Sequence, residues 1–427
     1  STIKIGTSLK IFKEVMERKM YVYLKDVKQI HYMYKNAYVI RKDGNIVEAN
    51  EECCLILKEV CLNNNKLSDI IRNIRNSGQL DMQERLECVV EQTVAEYSNI
   101  FKISLGFEDF ETKNILQTGE YGKSYPMLVQ IALTNKCLHH CKHCYANASI
   151  SGNEIKIKHL EELLDYLTDK CSNIEFTGGE PFLYGGLKKL LDKYSDKFSL
   201  SITTSGNFDE YYEEYYLSKF NLIQVSLYGA SEEEHDRFVG VNGSYRNTLE
   251  FIHRVQTCEN TDLIVQTQAR SGNIIEMEKF VKNCIQEKIN LIKIGEISPV
   301  GRGEQIKNIA DYNRKNIQNN VNILKRKYMN KIDIIYDNEH VNNELKIFTC
   351  GAGKIKWHIT SDGKILPCAL FSENIFSMGN IDDRDYKKII EKNMGETFLQ
   401  ELYCSREKIE EIYRRKNICV EDICENM

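Results

Sequence analysis

Thr134-Asn135-Lys136-Cys137-Leu138-His139-His140-Cys141-Lys142-His143-Cys144-Tyr145 stands directly after an apolar, β-prone run from Met127 to Leu133. Three thiolates separated by three and then two residues can wrap a loop around an iron-sulfur cube. Such cubes are normally held by four thiolates, so one iron stays open to a small chelating ligand. A zinc site completed by His139, His140 or His143 is the plainer alternative, although zinc favours a closed set of four ligands, often with cysteines in close pairs. The place of the triplet, at the end of a strand, decides how the rest of the chain is read.

Downstream of this loop, strand-like and helix-like segments alternate. The strand candidates are Met127 to Leu133, Ile174 to Phe176, Leu200 to Thr203, Leu222 to Leu227, Leu263 to Gln268 and Leu291 to Ile294. Helical patterns lie around 158–169, 186–195, 209–218, 245–257 and 274–287. Six βα units imply a parallel sheet, and the expected architecture is α/β: a partial (β/α)6 TIM-like barrel with its chemistry at the C-terminal strand ends. Upstream, Ala37 to Ala49 carries two short β-prone runs around Asp43-Gly44, a hairpin signal. Asn50 and Ser68 are candidate helix caps, and a third helical pattern runs from Met82 to Tyr97. The expected organisation is a winged-helix-like α+β domain over 1–107, a linker over 108–125, the barrel over 126–305, a bridging helix region over 306–345 and a cysteine-bearing domain over 346–427.

At 427 residues, with 42% hydrophobic and 28% charged residues, the chain is long enough for two or three cored domains. The formal charge of -5 gives no global reason to expect nucleic acid, and no run approaches the roughly 18 apolar residues of a membrane span. A cytoplasmic location is expected, without membrane or nucleic-acid partners. Fifteen cysteines, an odd count in a large chain, argue for metal rather than a disulfide scaffold. Cys53, Cys54, Cys61, Cys88, Cys171, Cys258 and Cys284 are scattered and read as small buried hydrophobes.

The loop resembles the Cys-x3-Cys-x2-Cys signature of the radical S-adenosylmethionine (SAM) superfamily. Cys144-Tyr145 followed by Ala-Asn-Ala is similar to its peptide- and protein-modifying subgroup. That resemblance implies a 4Fe-4S cluster on Cys137, Cys141 and Cys144, with SAM on the open iron, and SAM cleavage to 5′-deoxyadenosine and methionine. Further matches follow in order. Gly178-Gly179-Glu180-Pro181 resembles the motif that takes the methionine amino group. Thr204-Ser205, after the third strand, and Ser226 with Arg237 eleven residues on resemble SAM-contacting positions. His143 and Tyr145, inside the signature, are placed with the cofactor as well. Tyr228 stands where many relatives have Asp, and Gly301-Arg302-Gly303 is similar to a segment near the adenine end of SAM, or is a plain turn.

Cys350 and Cys368 flank a second Asp-Gly hairpin signal at Asp362-Gly363, with twelve residues between Cys350 and Gly363 and four between Gly363 and Cys368. This spacing resembles the auxiliary-cluster domain called SPASM, or its shorter form Twitch. With Cys404, Cys419 and Cys424 the resemblance implies at least one auxiliary 4Fe-4S cluster, although the usual closely spaced quartet is absent. The N-terminal hairpin and helices resemble the leader-binding module of enzymes that modify ribosomally made peptides, or are a structural appendage. The implied function is a radical SAM maturase of a precursor peptide bearing a leader, supplied with electrons by a flavodoxin or ferredoxin. A thioether crosslink of the sactipeptide or ranthipeptide kind leads, and carbon-carbon crosslinking and epimerisation compete. A sulfatase-maturing type of oxidase and a non-enzymatic iron-sulfur protein are the remaining alternatives.

Overall fold

The structure is a computed structural model; it describes residues 20–79, 85–108, 115–269, 273–297, 300–306, 314–336, 353, 355–370 and 377–388. Two compact units divide the chain, residues 1–125 and 126–427.

In the first unit, β1 (Tyr21–Leu24), β2 (Val27–Tyr34), β3 (Asn36–Arg41) and β4 (Ile46–Ala49) precede helices α1 (Glu51–Cys61), α2 (Leu67–Ser77) and α3 (Leu86–Glu96). β5 (Phe101–Ser104) and β6 (Leu116–Tyr121) follow. β5 pairs antiparallel with β1, while β4, β3, β2 and β6 form a four-stranded sheet in that order. The hairpin expected at Asp43-Gly44 joins β3 and β4, with Gly44 at φ 84° where a side chain would be strained. Asn50 caps α1 by accepting from the Cys53 amide at 2.9 Å. Ser68 does not cap α2, which starts two residues earlier with Lys66 at its cap position, where a bridge between Lys66 and Tyr21 fixes the entry. Nor is 108–125 a plain linker. Leu116–Tyr121 pairs parallel with β2, and its edge position, with only Thr118 buried, hid the strand from periodicity. Ile30, Val39, Cys53, Cys54, Ile56, Val60, Ile70 and Ile100 are among the side chains of this unit's own core.

The second unit holds β7 (Leu128–Thr134), α4 (Ile157–Leu167), β8 (Asn173–Gly178), α5 (Leu187–Tyr194), β9 (Ser199–Thr204), α6 (Glu214–Leu217) and β10 (Leu222–Ser226). α7 (Glu232–Val239), α8 (Ser244–Val255), β11 (Asp262–Ala269), α9 (Ile274–Gln286), β12 (Leu291–Glu296), α10 (Arg314–Tyr328) and β13 (Asp333–Tyr336) continue it. β7 to β13 form seven parallel strands in sequence order, one more than the six expected. Beyond β7 the sheet runs on through β14 (Lys356–Ile359), parallel to β7, then β15 (Lys364–Leu366) and β16 (Gly379–Asn380), both antiparallel. The bridging region therefore carries a strand as well as its helix, and the predicted Asp362-Gly363 hairpin extends the barrel sheet.

Alternation explains the layers. In β8, Ile174 and Phe176 are fully buried, whereas Thr177 lines the concave side. The helices cover the apolar side through Leu160, Leu163, Leu164 and Leu167 of α4 and Leu187, Leu190 and Leu191 of α5. Each such leucine contributes about 1.5–3 kcal/mol by leaving water. The concave side stays polar: Thr203 donates to Glu175 at 3.0 Å and accepts from Gln224 at 3.2 Å, across three strands. The helix expected over 209–218 shrinks to α6, because Phe208 stacks on Phe182 at 4.5 Å and Tyr212 meets the same ring edge-on at 4.7 Å, which pins the segment as a loop. Among the described residues, no helix is long and apolar enough to cross a membrane.

Candidate active site

A cavity of about 200 Å³ opens at the C-terminal ends of β7 to β12, and Cys137, Cys141 and Cys144 all line it. The loop that carries them is held at both ends. The Cys137 amide donates to Ser149 O at 3.0 Å, the His140 amide to Val239 O at 2.8 Å, and the Asn135 side chain to Ala146 O at 3.1 Å. Arg302 binds it from the far side, Nε to Cys141 O at 2.8 Å and Nη1 to Ala148 O at 2.9 Å, while its own amide reaches Cys144 O at 3.0 Å. Gly301, at φ 62°, makes that approach possible, since a Cβ there would run into the Cys144 and Tyr145 carbonyls. Gly301-Arg302-Gly303 is thus a brace for the cysteine loop; Arg302 also lines the cavity.

The glycines of Gly178-Gly179-Glu180-Pro181 serve loop against loop. A Cβ on Gly178 would fall on Thr134 O, and one on Gly179 on Lys136 O, so this turn lies against the stem of the cysteine loop. Glu180 and Pro181 are buried, and neither lines the cavity. The Glu180 carboxylate accepts from Thr204 Oγ1 at 2.7 Å and the Phe182 amide at 3.2 Å on one oxygen. On the other it accepts from the Ser205 amide at 2.8 Å and Ser205 Oγ at 2.5 Å. All four acceptor positions are taken by its own chain. Burial pushes the Glu180 carboxyl up, and the bonds from Ser205 and Thr204 pull it back toward the charged form. What the geometry displays is a carboxylate that orders Thr204 and Ser205, which do line the cavity.

His143, Tyr145, Gly178, Gly179 and Ser226 line the same cavity, as does Tyr228. His143 stacks on Phe238 at 4.9 Å and meets Tyr228 edge-on at 4.7 Å. Arg237 sits elsewhere. It projects from α7 into a neighbouring pocket with Gly229, Glu234 and Gln268, its side chain 65% exposed and 3.8 Å from Glu233. Gln266, Gln268 and Glu296 line the cavity without having been singled out in the sequence. The signal for the two glutamines was there, two polar side chains alternating on β11, and the Oε1 of each is buried with no hydrogen-bond partner.

The donor set fits an iron-sulfur cube. Burial pushes the Cys137 thiol up to about 12, with the Glu180 charge adding to it, and drives Cys141 higher still. Thiols in such a place ionise when a cation compensates them, as iron does. Of the five later cysteines, Cys368 is described, and its charge bears on the Tyr145 hydroxyl. Cys350, Cys404, Cys419 and Cys424 lie outside the described residues. Among the seven scattered cysteines, Cys53, Cys54, Cys171, Cys258 and Cys284 are buried, Cys61 is half-buried and Cys88 is exposed.

A parallel partial barrel with a cysteine-walled cavity at its strand ends defines the radical SAM class. Residues 131–266 match the Radical SAM superfamily, and residues 350–419 match SPASM, an iron-sulfur cluster-binding domain. The chain thus carries a radical SAM domain and a SPASM domain, which bind a 4Fe-4S cluster with SAM and auxiliary clusters, respectively. It is similar to the antilisterial bacteriocin subtilosin biosynthesis protein AlbA of Bacillus subtilis, 26% identical over 62% of this chain and 59% of that one. The sporulation killing factor maturation protein SkfB, also of Bacillus subtilis, is 25% identical over 59% of this chain and 62% of its own. The chain thus spans about three fifths of the length of these curated relatives. In fold it resembles Streptococcus suis SuiB, solved with the precursor peptide SuiA bound, at TM-score 0.62 and 16% identity over 88% of this chain and 87% of that one.

Proposed function

We propose that this protein matures a ribosomally made precursor peptide, joining a cysteine sulfur to a carbon of another residue as a thioether. The observation that carries the reading is the presence, in one chain, of the cysteine-walled cavity and a separately cored unit whose four-stranded sheet ends in β4 and β6. An outer strand offers unpaired backbone groups to an extended leader segment, and the main-chain bonds so formed need no particular leader sequence. The names of AlbA and SkfB, as a bacteriocin biosynthesis and a killing-factor maturation protein, support the peptide as substrate.

Cys137, Cys141 and Cys144 would hold the cluster, which with bound SAM supplies the 5′-deoxyadenosyl radical chemistry of this class. Around it the chain's own groups bind and orient. Arg302 keeps the loop in place, Glu180 fixes the rotamers of Thr204 and Ser205, and the face of His143 is held by Phe238. Gln266 and Gln268 line the space where SAM or substrate donors would enter, and the buried Oε1 of each has no hydrogen-bond partner. Tyr228 lines the cavity and packs against Phe238 at 5.0 Å. A flavodoxin or ferredoxin supplies the electron in this reading.

The test is anaerobic incubation of the loaded protein with SAM, a reductant and a short cysteine-containing peptide taken from a reading frame beside its gene. The expected product is lighter by two hydrogens per crosslink, with a cysteine that no longer alkylates, and 5′-deoxyadenosine accumulates with it. A peptide of unchanged mass, or one that loses two hydrogens yet keeps every cysteine alkylatable, overturns the thioether assignment.

A further inference from the structure

His139, between Cys137 and Cys141, is 3% exposed and sits in a hydrogen-bond chain whose direction can be worked out atom by atom. The Tyr228 amide lies 3.0 Å from His235 Nδ1; a backbone N–H can only donate, so His235 Nδ1 accepts and its proton is on Nε2. His235 Nε2 is 3.1 Å from Ser244 Oγ and therefore donates to it. Ser244 Oγ is 2.7 Å from His139 Nε2, and the hydroxyl, already an acceptor, passes its own hydrogen on. Asn207 Nδ2 lies 2.9 Å from the same His139 nitrogen, and its Oδ1 is taken by Asn247 Nδ2 at 2.8 Å, so the amide too presents N–H to His139. Two donors on one nitrogen leave no place for a proton there. His139 Nε2 accepts, and the ring's proton sits on Nδ1.

The geometry points to a role for that proton. His139 lines the cavity with the three cysteines, its Nε2 edge is engaged by Asn207 and Ser244, and Nδ1 has no partner among the described residues. We propose that His139 donates its Nδ1–H to a sulfur of the cluster held by Cys137, Cys141 and Cys144, and so raises that cluster's reduction potential. An N–H donor to sulfur stabilises the more negative, reduced cluster, and hydrogen bonds to sulfur are among the levers that set such potentials. Ser244, Asn207 and His235 are positioning residues, since they fix the tautomer from behind. The proposal rests on the cluster reading of the cavity.

The two fail separately. If loaded wild-type protein gives no reduced-cluster signal that SAM perturbs, the cluster reading is wrong. If that signal is present, its midpoint potential is measured in His139→Asn and His139→Gln. The asparagine amide reaches the position of Nδ1 and can replace the donor; the glutamine amide reaches the position of Nε2 and cannot. A lower potential in His139→Gln, with His139→Asn near wild type, is expected. Equal potentials in all three proteins, or equal shifts in both variants, overturn the proposal. Pulsed electron resonance on wild-type protein labelled with 15N-histidine, without SAM, needs no variant to load: a histidine nitrogen coupled to the reduced cluster is expected. Its absence, or its persistence in His139→Asn, overturns the proposal too.

Discussion

Glu180 shows how a residue legible by motif takes its physical meaning from its neighbours. Four donors from Thr204, Ser205 and Phe182 converge on a fully buried carboxylate. Glu180→Gln replaces one accepting oxygen by a group that itself donates, which sets donor against donor. The expected cost is about 3 kcal/mol of stability, since bonds to charged groups are each worth about 1.5–3 kcal/mol. Urea unfolding would measure it, and SAM affinity should fall about tenfold as Thr204 and Ser205 lose their orientation, a change of ~1.4 kcal/mol. Unchanged unfolding would mean the network carries no stability. Cys141→Ala removes a thiolate rather than a support; loaded protein should lose the SAM-perturbed cluster signal and form no 5′-deoxyadenosine. Turnover surviving that change would undo the assignment of the cavity.

At the scale of elements, close backbone packing and buried polar pins decide where strands and loops go. A methyl on Gly179 would land on the Lys136 carbonyl, backbone that cannot rotate away. Gly179→Ala should therefore push the Glu180 turn off the cysteine loop, at about 1–3 kcal/mol and with reduced iron content after reconstitution; full iron loading with wild-type stability would count against it. In the N-terminal unit, His31 fastens β2 to β6 and the residues that follow it: Nδ1 lies 3.0 Å from Thr118 Oγ1 and Nε2 donates to Tyr125 O at 2.9 Å. Burial lowers its pKa to about 4, so the folded state binds its proton less readily than the unfolded chain, where histidine titrates near 6.5. That stability is complete above about pH 6.5 and is lost as pH falls toward 4, about 3 kcal/mol in all. Denaturant melts of the full chain at pH 7 and pH 5 should differ, and His31→Gln should flatten the difference; equal slopes in the two proteins would exclude His31 as its source.

On the scale of the whole molecule, the chain divides into two units with separate cores, and the proposed division of labour follows that boundary. If the first unit binds the leader, a precursor stripped of its leader should be modified far more slowly by the full-length chain, while uncoupled 5′-deoxyadenosine formation with SAM and reductant continues. Equal modification of both peptides would make that unit an appendage. The cysteine triplet, the βα alternation, both Asp-Gly hairpins and the Asn50 cap were legible in the sequence because each is local: spacing, periodicity and turn chemistry act over a few residues. β6 was not, since its partner β2 lies far away in sequence and an edge strand with one buried side chain carries no clear period, and β13 was not because it is only four residues long. The same limit explains Arg237, given by spacing to the SAM site yet standing in the adjoining pocket, while Gln266 and Gln268 left a local signal, their alternation on β11, that only the assembled sheet turns into a site. By itself the sequence determined which thiols can meet around a cluster, because three ligands within eight residues of loop are neighbours whatever the fold. Only the tertiary structure decided which other groups face them and which tautomer His139 holds, because hydrogen-bond direction depends on donors brought together from Asn207, Tyr228, His235 and Ser244 across the barrel.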